Sequence, residues 1–485
     1  MRRLVAVLIS LSLAFGGLLF ASPALAVDGE AKDVFAARVI AKATHNRVLV
    51  TGLLDEFSTT YVNPDGTLTT DSYGSAIRVR DDRTNSGWRD LDYDLVFNSD
   101  GSVSPKSGLY SLFISGGGSA SEVAASGVVR VTSPDGSLVG FSWPSSLPKP
   151  VLDGPKAVFS EVLPGVDLVV EATASGFEQF FVLSVKPSAE VLAALELPLK
   201  MKKVKVVENL DGSFSFENAA ASEVASLPTP RVWDSSLEPK SGNAVEGVLD
   251  ANLNRETNTV ELAGLGAFLE NPDLVYPVTV DPALTLNPLS DNYVRDDTGS
   301  VYWSSTELLV GTYDGGVTRA RSYIRFRNTQ WAGKQITAAT LKIYETWSYS
   351  CNSRNVYLYP AKANIPTSWS WAKQPTLETT ISDSVSAAKG YSSACGAGWV
   401  SINAKDVTTY LAAHPEIEGT VSTIAVRASE TDSYGWKRFT STNGTNKPVL
   451  SVTYNNVPTK PTQPVVTPGQ FVGGVQYATS LMPTF

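Results

Sequence analysis

The chain has 485 residues, 18% of them charged and 43% hydrophobic, with a formal charge of −9; that apolar share excludes disorder for the bulk, and the length predicts about three domains at roughly 100–200 residues each. No Lys/Arg cluster works locally against the acidic balance, so nucleic acid is excluded as an expected partner. Two histidines in the whole chain, His45 and His414, exclude a His-dense metal site or His proton relay, and both read as solvated segment ends. Arg2 and Arg3 precede an apolar run from Leu4 to Ala21, and Ala24-Leu25-Ala26 then meets polar sequence. This predicts a secretory signal over residues 1–26, cleaved after Ala26. No second stretch of spanning length follows, so the expectation is an exported chain, secreted or at the cell surface, with no membrane span after cleavage.

Residues 27–285 are predicted to form a β-rich region of one or two sandwich-like domains. Short β-branched and apolar runs such as Val128-Val129-Arg130-Val131 alternate with turns: Pro64-Asp65-Gly66-Thr67, Ser99-Asp100-Gly101-Ser102, Pro134-Asp135-Gly136-Ser137 and Leu210-Asp211-Gly212-Ser213. Asp-Gly supplies the positive φ of type I′ hairpins, so antiparallel pairing is expected. Helix is scarce; Ser188 to Leu195 is predicted as two turns capped by Ser188 and ended before Pro198.

Residues 286–455 hold seven of the ten tryptophans and both cysteines, a compositional shift that marks a separate domain. Alternation in Arg321-Ser322-Tyr323-Ile324-Arg325-Phe326-Arg327 and Ala339-Thr340-Leu341-Lys342-Ile343-Tyr344 has the period of strands with one wet face, and long Gly/Ser/Thr loops point to a two-sheet jelly roll. The fold class expected is therefore all-β, a β-rich sandwich-like region followed by a jelly-roll β-sandwich. Asp406 to Ala413 is predicted as a short helix with Asp406 as cap. Export favours a disulfide between Cys351 and Cys395, against two buried thiols or a half-built metal site. Residues 456–485 begin as an extended linker through Pro458, Pro461, Pro464 and Pro468, after which a strand pattern opens at Gln476, the expected start of a truncated Ig-like segment of a longer polypeptide.

Asp291-Asn292-Tyr293-Val294, Glu307-Leu308-Leu309-Val310-Gly311, Arg321-Ser322-Tyr323-Ile324-Arg325-Phe326, Ile336-Thr337-Ala338-Ala339-Thr340-Leu341, Trp371-Ala372-Lys373-Gln374-Pro375 and Trp436-Lys437-Arg438-Phe439 follow one ordered pattern over about 170 residues. It resembles the DNRLRE domain, grouped with carbohydrate-binding module family 96. The resemblance implies a non-catalytic glycan binder, with an acidic glycan among its ligands. Upstream, Val162-Leu163-Pro164-Gly165-Val166-Asp167-Leu168-Val169-Val170 and Pro230-Arg231-Val232-Trp233-Asp234 resemble the N-terminal region of secreted bacterial RHS/YD-repeat polypeptides. That resemblance implies the alternative of a structural front portion of an export or toxin-delivery polypeptide without a glycan ligand.

Catalytic signatures are absent from the sequence. There is no Gly-x-Ser-x-Gly elbow, no His-Glu-x-x-His and no phosphate-cradling Gly-rich loop. A lyase or hydrolase remains a minor alternative, because acidic residues are plentiful but sequence does not set two of them across a cleft. Sugar C–H faces lie against exposed aromatic rings, so Trp303, Trp347, Tyr349, Trp369 and Tyr434, set among Ser, Thr, Asn and Asp, are the candidate contacts. Arg354 joins them, with Arg319, Arg321 and Lys437 as further partners for a uronate carboxylate. Trp371, Trp399 and Tyr410 occupy apolar phases and read as packing. No organic cofactor is expected; Asp291, Asp296 and Asp297 are candidate oxygen donors to a structural Ca²⁺.

Overall fold

The computed structural model describes residues 27–84, 87–133, 135–174, 176–209, 212–236, 244–282, 284–286, 291–297, 305–366, 369–456, 469–472 and 475–478. The expected signal segment, Trp303 and most of the proline-rich linker lie outside these residues. The chain is all-β and builds two face-to-face sandwiches. In the first, one sheet runs through Asp92–Phe97, Val103–Ser107, Ser111–Ile114, Val129–Thr132, Leu138–Phe141, Glu196–Lys202, Thr259–Ala263 and Asp250–Asn254. The other centres on Lys156–Leu163, Val166–Thr173, Gly176–Leu183 and Val278–Asp281. Alternation explains the join. Leu112, Ile114, Val129, Val131 and Phe141 point inward from one sheet and Phe159, Leu168, Val170 and Phe181 from the other, forming one buried core.

The Asp-Gly turns at Asp65, Asp100 and Asp135 do close antiparallel hairpins, but not as type I′; Leu210 and Asp211 of the fourth lie outside the described residues. Only the glycines take positive φ, 84° at Gly66 and 85° at Gly101. Gly66 N–H donates to Asn63 O at 2.9 Å and Asn63 N–H to Thr67 O at 2.8 Å, the geometry of a type I turn followed by a left-handed bulge residue. The aspartate decides this. Asp65 Oδ1 accepts from Thr67 N–H at 2.9 Å, and Asp100 Oδ1 from Ser102 N–H at 3.0 Å, a local bond that leaves glycine alone to reverse the chain.

The second sandwich has the expected jelly-roll layering. One sheet carries Glu307–Val310, Lys437–Thr440, Gln335–Ser348, Gly398–Asn403 and Val449–Asn455; the other carries Asp291–Arg295, Ala320–Arg327, Val421–Arg427, Arg354–Ala363, Asp383–Ala387 and Thr376–Leu377. Leu308, Val310, Ile324, Phe326, Leu341, Leu358, Ile424 and Leu450 fill the space between them. The helix Lys405–Ala413 lies close to its prediction, but Asp406 sits inside the first turn. The capping oxygen comes from another strand, where Asp383 Oδ2 accepts from Val407 N–H at 2.9 Å. Ser188 caps Ala189–Ala193 as expected, accepting from Val191 N–H.

Residues 27–73 join the jelly roll instead of the sandwich that follows them in sequence. Strand Leu68–Tyr73 pairs antiparallel with Val449–Asn455, from Tyr73 opposite Val449 to Leu68 opposite Tyr454. The contact crosses the boundary expected at residue 285. Outside it, Ser58–Val62, Arg47–Val50 and Val27–Ala31 continue the sheet, covered by the helix Val34–Thr44. That helix was not expected, although Asp33 caps it by accepting from Ala36 N–H at 2.9 Å. Cys351 and Cys395 are bonded, with Cα atoms 5.6 Å apart. No helix among the described residues is long and apolar enough to cross a membrane.

Candidate functional site

Two aromatic surfaces lie on the jelly roll. The first sits where Gln335–Ser348 ends and the disulfide ties its following loop to Cys395. Here the structure brings together four residues singled out in the sequence: Trp347, Tyr349, Tyr434 and Arg354. Tyr349 meets Tyr434 edge-on at 5.0 Å between centroids, Trp347 meets Tyr391 at 6.2 Å, and the Arg354 guanidinium lies 4.9 Å from the Tyr434 centroid. Arg354 Nε also donates to Asp432 Oδ2 at 2.7 Å, which holds that carboxyl below its ordinary range. These rings tilt against one another and the Trp347 Nε1 is buried without a hydrogen-bond partner, while Tyr391 and Tyr434 stay 43% and 37% exposed.

The second surface is the outward face of the sheet built on Ala320–Arg327, Val421–Arg427 and Arg354–Ala363. Period two turns Ile324, Ile424 and Leu358 into the core and leaves Tyr323, Ala425 and Tyr359 as a row of register partners outside. One step along, Tyr357 stands opposite Arg427. Tyr357 and Tyr359 are near parallel, 25° apart at 6.4 Å. The loop after residue 363 folds over one side. Trp369 is only 2% exposed and packs on Tyr323 at 4.8 Å, so it is a packing residue and not the sugar contact expected of it. Trp371, expected to be core, is half-buried at the rim. The result is a trough of about 690 Å³ lined by Tyr357, Tyr359, Trp371, Arg321, Gln374 and Glu430.

Its polar groups are set firmly. Arg321 clamps Glu430 through Nε to Oε1 at 2.7 Å and Nη2 to Oε2 at 2.8 Å, a bidentate pair of the kind that fixes both side chains, and its guanidinium lies 4.2 Å from the Trp371 ring centroid. Gln374 Oε1 accepts from Tyr323 Oη at 2.6 Å and Arg321 Nη1 at 3.2 Å, and its Nε2 donates to Trp371 O. Arg427 donates to Tyr323 Oη and Ser322 O; burial lowers its pKa. The trough thus sets aromatic rings beside polar side chains that hold one another in place.

The remaining candidates are dispersed. Trp399, read as packing, is 46% exposed beside Tyr344; Tyr410 packs on His414. All four cations considered for a uronate already face carboxylates: Arg319 with Asp296 at 2.6 Å, Arg321 with Glu430, Arg354 with Asp432, and Lys437 with Glu345 at 2.8 Å, the last pair fully buried. The calcium candidates do not converge. Asp291 accepts from Thr442 N–H and Oγ1, Asp296 from Arg319, and Asp297 from Arg295; no group of three metal-ligating side chains occurs among the described residues. The sequence missed Tyr357 and Tyr359 as a platform, although Tyr357-Leu358-Tyr359 within an alternating strand signals two rings on one face.

Residues 282–454 match the model of carbohydrate-binding module family 96. Over 329 residues the chain is 24% identical to the tRNA nuclease WapA of Bacillus subtilis (strain 168) and, equally, to the tRNA(Glu)-specific nuclease WapA of Bacillus subtilis subsp. natto (strain BEST195), covering 63% of this chain in each case. The chain spans only 13% of the length of these relatives. A solved structure from a study of the promiscuous specificity of carbohydrate-binding modules in the β-sandwich superfamily covers 51% of this chain and 95% of its own, at 7% identity and a TM-score of 0.14, too low to bear on the fold.

Proposed function

We propose that this is an exported, non-catalytic glycan-binding protein, and that the trough between Tyr357, Tyr359 and Trp371 holds the polysaccharide. The carbohydrate-binding module match over 282–454 supports the ligand class; the near-parallel tyrosines beside a half-buried indole carry the placement. Arg321 and Arg319 already face carboxylates, so a uronate would compete with Glu430 for Arg321, and a neutral glycan is the ligand proposed. Affinity electrophoresis of the whole chain through neutral β-glucan, xylan, pectin and alginate tests this. Retardation by a neutral polymer, lost about tenfold or more in Trp371→Ala, is the expected outcome. Equal mobility of wild type and variant in every gel rejects the site.

A second reading follows from the relatives. The chain corresponds to 13% of the length of WapA proteins, so its two sandwiches would serve as the structural front of a similarly large exported polypeptide. Their named tRNA nuclease activity is not proposed for this segment, whose charge repels phosphate. Glycan-independent export of a longer product carrying these sandwiches would favour this reading.

A further inference from the structure

The sandwich preceding the jelly roll breaks its own alternation. In Lys156–Leu163, Val166–Thr173 and Gly176–Leu183 the inward positions Phe159, Leu168, Val170, Phe181 and Leu183 are fully buried in the core. The opposite face of an exposed sheet is expected to be polar. Here it carries Val158, Val169 and Phe180, successive register partners across three strands. Beside them Val182, Thr279 and Trp233 form a second row. Phe180 and Trp233 meet edge-on at 6.1 Å.

This apolar floor faces a wall from the jelly roll made of Thr306, Thr346, Thr440 and Thr445, across a groove of about 1260 Å³. Several of its charges are paired in place: Lys156 with Glu171 at 3.4 Å, Lys106 bridging Asp92 and Asp94 at 3.5 and 2.9 Å, and Glu307 with Arg438; Arg89, Asp90 and Lys447 also line it. A floor of aromatic and aliphatic carbon against a wall of hydroxyls suits a chain with apolar ring faces and hydroxyl edges. The space exceeds the ~300–1,000 Å³ of small-molecule sites, which suits an oligomer. We propose that this inter-sandwich groove is a second glycan site, binding a neutral polysaccharide chain across both sandwiches. The ligand class rests on the proposed function; the groove does not share a residue with the trough.

Native mass spectrometry of the whole chain with hexasaccharides of β-1,4-linked glucose, xylose and N-acetylglucosamine tests the proposal. Two equivalents of at least one probe are expected on wild type and one on Trp371→Ala. Trp233→Ala should weaken the remaining equivalent about tenfold. Thr445→Arg, at an exposed position that leaves the core alone, should do the same by filling the groove. One equivalent on wild type, abolished by Trp371→Ala, overturns the groove and leaves the trough standing. A second equivalent insensitive to both groove variants also overturns it. No binding of any probe to wild type removes both sites.

Discussion

Glu178 shows how one side chain carries a cost set by its surroundings. It lies on Gly176–Leu183, buried, with Oε2 lacking a hydrogen-bond partner, in a cavity of about 280 Å³ shared with Arg231, Glu246, Arg295 and Arg438 from both sandwiches. Burial, then the charges of Asp281 and Glu171, push its carboxyl well above the ordinary range. The folded state therefore prefers the protonated acid. Its contribution is fully present below the unfolded pKa of about 4.3 and is lost as pH rises through the raised folded value. Glu178→Gln should flatten that loss, gaining about 1–3 kcal/mol on the alkaline side. Thermal melts from pH 4 to 9 check it: the wild-type curve should fall with pH more steeply than the variant's, and parallel curves would dismiss the assignment. Nearby Glu246 behaves oppositely. Arg231 and Arg295 overcome its desolvation and hold it low, so two glutamates on one cavity part company by the charges they meet, guanidiniums for Glu246 and carboxylates for Glu178.

At the scale of elements, the disulfide and the trough loop illustrate how long connections are held. Cys351 and Cys395 close a 44-residue span that includes Arg354–Ala363 and the loop bearing Trp369 and Trp371. Loop-closure entropy gives about 4 kcal/mol for such a span, as an upper value. Reduction should therefore lower jelly-roll stability by about 2–4 kcal/mol and leave the preceding sandwich's transition in place. Calorimetry with and without reductant reads this directly, and a jelly-roll transition unchanged by reductant would show the bond to be energetically idle. The Asp-Gly turns carry a related point. Their hairpin role was legible because Gly reverses the chain and Asp bonds two residues on; their type was not, because that aspartate bond decides which residue takes positive φ.

For the whole molecule, the decisive feature is the return of residues 27–73 to a sheet some 380 residues away in sequence. Thr69 Oγ1 meets Thr453 Oγ1 at 2.8 Å and Thr70 Oγ1 meets Tyr454 Oη at 3.0 Å. A jelly roll cut at 286–455 would expose Val449–Asn455 as a bare edge, which invites pairing between copies. Sedimentation velocity should show that fragment self-associating, whereas the same fragment co-expressed with residues 27–84 should remain monomeric; a monomeric fragment alone would show the edge to be harmless. The amino-acid sequence by itself determined the all-β class, the split in composition near residue 286 and the inward phase of strands such as Ala320–Arg327, since period-two burial is a local property of the chain. It also marked the aromatic residues as the informative type. Only the tertiary structure decided which of them remain accessible. Trp369 and Trp371 lie two residues apart in the same loop, and the first is buried because Tyr323 stands beneath it while the second packs at the edge of the same small cluster, under Arg319 and Arg321 at the rim. Strand partners far apart in sequence, the groove between sandwiches and the carboxylate facing each arginine are likewise set by three-dimensional neighbours, and no local periodicity encodes a neighbour's identity.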